Sequence, residues 1–171
     1  MLVFDLETNG LLDDVTQVHC LVIYDSDADQ TVHYNDQGNE EPIVRGVQRL
    51  EDADVIVGHN VLGYDIPVLH KIYPWFDPKA LVIDTLLLSR LYHTDMMEID
   101  RKRNVQPMPS RLYGRHSLES YGYRLKEYKG EFGKTTDWQN WSPEMEIYCA
   151  QDVKVTTKLC DHFHRYLSGC Y

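Results

Sequence analysis

The chain has no run approaching the ~18 consecutive apolar residues that a membrane-crossing helix needs. It also shows no basic segment followed by an apolar stretch ahead of its first apolar residues, which begin almost at Met1, so a cytosolic protein is expected. None of its four cysteines stands in C-x-x-C spacing; Cys20, Cys149, Cys160 and Cys170 are therefore read as free thiols, and neither a disulfide framework nor a zinc cluster is supported. Repeats, low-complexity tracts and linkers are missing too, and a length of 171 residues fits one domain, 1–171. Basic residues are few: 17 Lys and Arg stand against 27 Asp and Glu, a net charge of −10. An even spread of that charge would argue against a polyanionic partner, yet residues 1–100 hold 5 basic and 19 acidic side chains while residues 101–134 hold 9 and 3. One basic segment thus sits in an acidic protein. It reads either as a solvated loop and helix face or as a surface for a polyanion.

Hydrophobic residues are plentiful, at 43%, which excludes a disordered chain. Leu2 to Glu7 reads as a strand broken by Thr8-Asn9-Gly10, and Val18 to Tyr24 and Thr31 to Tyr34 read as two more, in an antiparallel meander. From there the pattern alternates. A helix is expected over Glu41–Leu50, a strand over Asp54–Val57, a helix opening at Tyr64-Asp65-Ile66-Pro67, a strand at Leu81–Ile83 and a helix over Asp84–Tyr92. His93 to Tyr113, with Arg101-Lys102-Arg103 inside it, has no sustained periodicity and reads as a long loop. A short helix follows over Ser117–Leu125, then a polar connection over Tyr128–Asn140. Ser142-Pro143-Glu144 opens a final helix to about Leu167 with an N-cap, a first-turn proline and an acid facing the helix dipole. The expected fold is α/β: a mixed five-stranded sheet, three strands in a meander plus two parallel ones, flanked by helices as in ribonuclease H-like domains.

Alternation along the first strand points Asp5 and Glu7 to one face at its exit, and carboxylates about 4 Å apart repel by roughly 4 kcal/mol at an effective dielectric near 20, so such a pair invites a divalent cation. Tyr148 and Asp152, four apart on the last helix, also share a face. Taken singly, each residue has an ordinary explanation: solvated strand-end acids, a helix cap at Asp65 or Asp84, a core tyrosine at 148.

Three motifs occur in order: D-x-E at Asp5 and Glu7, H-N-x-x-x-Y-D from His59 to Asp65, and Y-x-x-x-D from Tyr148 to Asp152. With them the chain resembles the tyrosine subtype of the DEDD superfamily of 3′ to 5′ exonucleases, most of all the N-terminal proofreading domain of family A replicative DNA polymerases of short-tailed phages. The likeness also takes in His19-Cys20, Val22 to Asp25, Ile83 to Leu86, Leu88 to Leu91, Gly122 to Leu125, Lys129-Gly130-Glu131 and Gln151 to Val153. At the place where a histidine subtype would carry its His, five residues before the last Asp, this chain has Ile147.

The resemblance implies metal-dependent release of nucleoside 5′-monophosphates from single-stranded or frayed DNA 3′ ends. Asp5 would bridge two Mg²⁺ or Mn²⁺ ions, Glu7 and Asp152 would complete one site, and Asp65 would hold the second ion through water. Tyr148 would position the attacking water as a protonated phenol. Thr8 would lie near the terminal sugar, Leu11 would wedge against the last bases and Asn60 would contact the strand, although a strand-exit Thr, a loop Leu and a turn Asn need no ligand. Asp84 and His116 stay outside this set, explained by capping and helix entry. Partners would be a DNA 3′ end and a polymerase, fused or encoded separately, in the host cytoplasm if the protein is phage-encoded. The basic segment would then guide the strand. Two alternatives stand beside this: an exoribonuclease of the RNA-trimming branch, which has the same four acids and tyrosine, and a silent module that binds a polymerase or a strand end.

Overall fold

The computed structural model describes residues 1–104, 107–128 and 137–169. Its centre is a five-stranded sheet in the order β3-β2-β1-β4-β5, built from β1 (Leu2–Thr8), β2 (Val18–Asp25), β3 (Gln30–Asn35), β4 (Val55–Gly58) and β5 (Leu81–Asp84). β1 pairs antiparallel with β2 and β2 with β3, whereas β1–β4 and β4–β5 are parallel. The expected meander and the two added parallel strands are present.

Alternation along β1 divides the core. Leu2, Phe4 and Leu6 pack with Leu21, Ile23 and Ile56 against α1 (Ile43–Glu51) and α2 (Asp65–Ile72). Val3 faces the other way, with Cys20, Val22 and Val57, against Met145, Cys149 and Val153 of the long helix α6 (Pro143–Leu167). Asp5 and Glu7 continue the Val3 face by the same period of two. α6 begins as expected, with the Ser142 hydroxyl accepting from the Met145 amide and Pro143 in the first turn. Full burial of side chains such as Val155, Leu159 and Phe163 stabilises by about 1.5–3 kcal/mol each, so its lower half is fixed to α3 (Thr85–Tyr92) and α5 (Leu118–Arg124).

Residues 93–113 are not one long loop. Helix α4 (Met96–Arg103) lies within them and ends on Asn104 in the left-handed region at φ 45°, and Ser110–Leu112 forms a 3₁₀ turn. Met96 and Asp100, four apart, are the buried positions of α4, so the inner face carries an acid where periodicity calls for an apolar residue. That acid is matched by Arg124 of α5, whose Nε and Nη2 reach its two oxygens at 2.9 and 2.7 Å. Cys20, Cys149 and Cys160 are free, while Cys170 and the Lys129-Gly130-Glu131 motif fall outside the described residues.

Candidate active site

The exit of β1 opens into a cleft of about 870 Å³ lined by Asp5, Glu7, Asn60, Asp65, Tyr148 and Asp152. Three separate segments supply these side chains. β1 brings Asp5 and Glu7; their carboxylate oxygens and the Cys149 Sγ of α6 all lie within 4.8 Å of one another. Cys149 donates to the Asp5 carbonyl at 3.3 Å and lies 3.5 Å from Asp5 Oδ2. Burial first, and then Cys20 beside it, push this thiol well up, so it stands next to the acids as a protonated donor.

The turn after β4 brings Asn60 and Asp65, and Asp84 holds that turn in place. Asp84 Oδ1 accepts from the amides of Asn60 and Leu86 at 2.9 Å each, and Oδ2 accepts from Leu62 at 3.2 Å. Asp84 therefore caps α3 as expected and also fastens the turn. Asn60 takes φ 66°, and at Gly63 an added Cβ would come within 2.6 Å of Asn60 Oδ1, so a larger residue there would displace the Asn60 side chain. Asp65 does not cap its helix, where Tyr64 is the N-cap residue; it is the first helical residue and is only 4% exposed. Burial pushes its carboxyl up to about 7, the charges of Asp84 and Asp152 push the same way, and the backbone amides of Asp65 and Leu6 oppose them.

α6 brings Tyr148 and, one turn on, Asp152, which is 6% exposed. The Trp138 ring meets Tyr148 edge-on with centroids 6.4 Å apart, and the Trp138 carbonyl is held by Nε2 of buried His19 at 2.9 Å. The β2 histidine of the His19-Cys20 motif thus sets the wall beside the phenol.

The three substrate-binding expectations meet different surroundings. Asn60 lines the cleft. Thr8 is buried; its hydroxyl meets that of Tyr64, and both reach the Gly10 carbonyl. Leu11 is 77% exposed on the loop after β1 and is not among the cleft's lining residues. Tyr64, which stands in the His59-to-Asp65 motif without a role assigned to it there, also lines the cleft; burial pushes its phenol up, and the charges of Asp65, Glu7 and Asp5 add to that. Spacing did not show which basic side chains turn inward. They are Arg90, Arg111 and Arg115, with His116, whereas Arg101 and Lys102 line none of the pockets described here.

The donors suit a hard divalent cation. Four carboxylates line the cleft, three of them nearly buried, and burial with two neighbouring acids raises the Asp65 carboxyl to about 7, a shift that a nearby positive charge would oppose. A cluster of this kind lowers its own repulsion by binding such an ion.

The comparisons with known proteins agree with this geometry. The family profile described as the RNase_H superfamily matches residues 2–164, and the chain belongs to that superfamily as a ribonuclease H-like exonuclease domain. It is 35% identical over 183 residues to the DNA-directed DNA polymerase of Escherichia phage T7 and 34% over 184 residues to that of Enterobacteria phage T3. Each match covers 94% of this chain and 26% of the polymerase, so the chain spans about a quarter of the length of these curated relatives. Among solved structures it is similar to Brucella melitensis NrnC bound to pGG, with a TM-score of 0.63, 17% identity and coverage of 99% of this chain and 74% of that one. At that identity the likeness speaks for the fold.

Proposed function

We propose that the chain is a metal-dependent 3′ to 5′ exodeoxyribonuclease of the proofreading type, hydrolysing the terminal phosphodiester of single-stranded or frayed DNA ends to release nucleoside 5′-monophosphates. The observation that carries this reading is the gathering of Asp5, Glu7, Asp65, Asp152 and Tyr148, from three motifs far apart in the chain, around one cleft. Likeness to two phage DNA polymerases favours a DNA strand, and a polymerase as partner.

Asp5, Glu7 and Asp152 would hold one Mg²⁺ or Mn²⁺ ion, with Asp5 shared and Asp65 serving a second. Bound ions supply charge neutralisation at the scissile phosphate and make a water nucleophilic at neutral pH. The chain's own residues do the rest. Tyr148 donates a hydrogen bond that orients the water, with Trp138 fixing the plane of its ring. Arg90, Arg111 and Arg115, which line the same cleft, receive backbone phosphates, and Asn60 presents a side-chain amide to the strand.

Incubating a labelled strand with Mg²⁺ or with chelator and sizing the products tests this reading. Stepwise shortening from the 3′ end with Mg²⁺ alone is expected. An RNA strand run beside the DNA decides between this reading and an RNA-trimming exonuclease, because the difference lies in how the 2′-hydroxyl is received. Intact strands in every lane would leave a silent end-binding module.

A further inference from the structure

A second pocket, of about 110 Å³, lies where the end of α3, the end of α4, the end of α5 and the last turns of α6 meet, and it shares no lining residue with the cleft. Its wall carries Arg103, Arg124 and Arg165 with His93 and His162, over an apolar floor that includes Met96. The negative charges nearby are Asp100, already paired with Arg124, and Asp95, which acts on His93. One feature of this wall is unsatisfied by the protein itself. The Arg124 side chain is 6% exposed, and its Nη1 is buried with no hydrogen-bond partner among the described residues, although Nε and Nη2 of the same guanidinium are fully used on Asp100. A buried guanidinium nitrogen left without an acceptor loses the hydrogen bonds it makes in water. In addition, His93 and His162 meet Nε2 to Nε2 at 2.8 Å. Neutral rings in that contact share one hydrogen. One further proton would make one of the two rings cationic beside three arginines, a charge that an anion offsets.

We propose that this pocket is a phosphate-binding site separate from the catalytic cleft. One water takes up about 30 Å³ of liquid, so the space has room for a tetrahedral oxyanion. Three arginines lining one small pocket suit the several oxygens of a phosphate better than they suit a carboxylate, which has two oxygens to offer. The phosphate belongs either to a nucleic-acid backbone or to a free ion. Arg103 is the last residue of α4, so the basic run Arg101-Lys102-Arg103 ends in this pocket and not in the cleft.

The test is calorimetric titration of the chelator-treated full chain with inorganic phosphate at constant ionic strength, compared with the double variant Arg103→Gln, Arg165→Gln. Both side chains belong to exposed residues, so the fold is expected to survive. The expected result is saturable binding of one phosphate per chain, weakened at least about tenfold in the double variant. Asp152→Asn, which disables the cleft under the proposed function, is expected to leave phosphate affinity unchanged, so failure of the two proposals can be told apart. A second arm measures affinity for a single-stranded oligonucleotide against salt. A weaker affinity and a shallower salt slope in the double variant assign the phosphate to a nucleic-acid backbone, and an unchanged strand affinity assigns it to the free ion; either supports the site. Absence of saturable phosphate binding to the native chain, or equal affinity in the double variant, overturns it.

Discussion

Asp65 and Asp100 are both aspartates in helices, both buried, and held in opposite ways. Asp100, at 0% exposure, feels burial pushing its carboxyl up, yet Arg124, the Gly114 amide at 2.8 Å and the charge of Arg103 together hold it below the ordinary carboxylate range. Asp65, at 4% exposure, has two amides to offset burial, with Asp84 and Asp152 adding repulsion, and it is pushed up to about 7. The first carboxylate is complete within the protein. The second meets two further acids, with two backbone amides set against them. Burial alone therefore does not distinguish a structural acid from a functional one; the sign of what surrounds it does.

The sharpest way to break this contrast is to delete one acid from each region. Asp100→Ala should leave a buried guanidinium unpaired and cost about 3–5 kcal/mol in denaturant melts. Asp152→Ala should leave the fold intact and lower the exonuclease rate by on the order of a thousandfold or more. If Asp152→Ala were fully active, or Asp100→Ala fully stable, the contrast would collapse. Next in size is the response to metal. Mg²⁺ or Mn²⁺ at about a hundred times its dissociation constant should stabilise the chain by about 2.7 kcal/mol over chelator, which amounts to roughly 5–10 °C in melting temperature. Asp152→Asn should lose most of that increment, and an unchanged melting temperature at saturating metal in the native chain would count against the cluster as a metal site.

A smaller effect is expected from pH. Because the folded pKa of Asp65 lies above its ordinary value, its contribution to metal-free stability is fully present below about 4 and is lost as pH rises through about 7. Asp100 has the opposite sign: its contribution is present above the ordinary carboxylate value and is lost only on acidification through its depressed pKa. Chelated melts at pH 5 and pH 8 should therefore show a decline toward pH 8, which Asp65→Asn flattens and Asp100→Asn does not; a decline that persists in Asp65→Asn would assign it elsewhere. Smallest is Tyr148→Phe. It removes one hydrogen bond and should slow cleavage by about ten- to a hundredfold without abolishing it, and an unchanged rate would remove the phenol from the chemistry.

Much of the fold was legible because β1 and α6 obey simple periods. A period of two carried Asp5 and Glu7 to the Val3 face, and a spacing of four put Tyr148 and Asp152 on one side of α6. Helix α4 was not legible, since Asp100 occupies a core position that only its partner in α5 explains, 24 residues later. The acids of the site could be found from motif order. The arginines could not: α3 and the segment from Arg111 to Arg115 turn Arg90, Arg111 and Arg115 into the cleft, while the denser run at Arg101 to Arg103 turns elsewhere. Tyr64 stood in the second motif, yet what it touches was not legible, because its tie to Thr8 and Gly10 spans more than fifty residues.

The three amides gathered by Asp84 have a mechanical consequence. They rivet the Asn60–Leu62 corner to the tip of β5 and the head of α3, so the corner is a spur of the sheet and not a flap hung from it. Asp65, three residues beyond that corner, has its place set by strand β4 and its neighbour, with no hinge between. The part of the cleft that carries Asn60 and Asp65 is thereby anchored to the sheet.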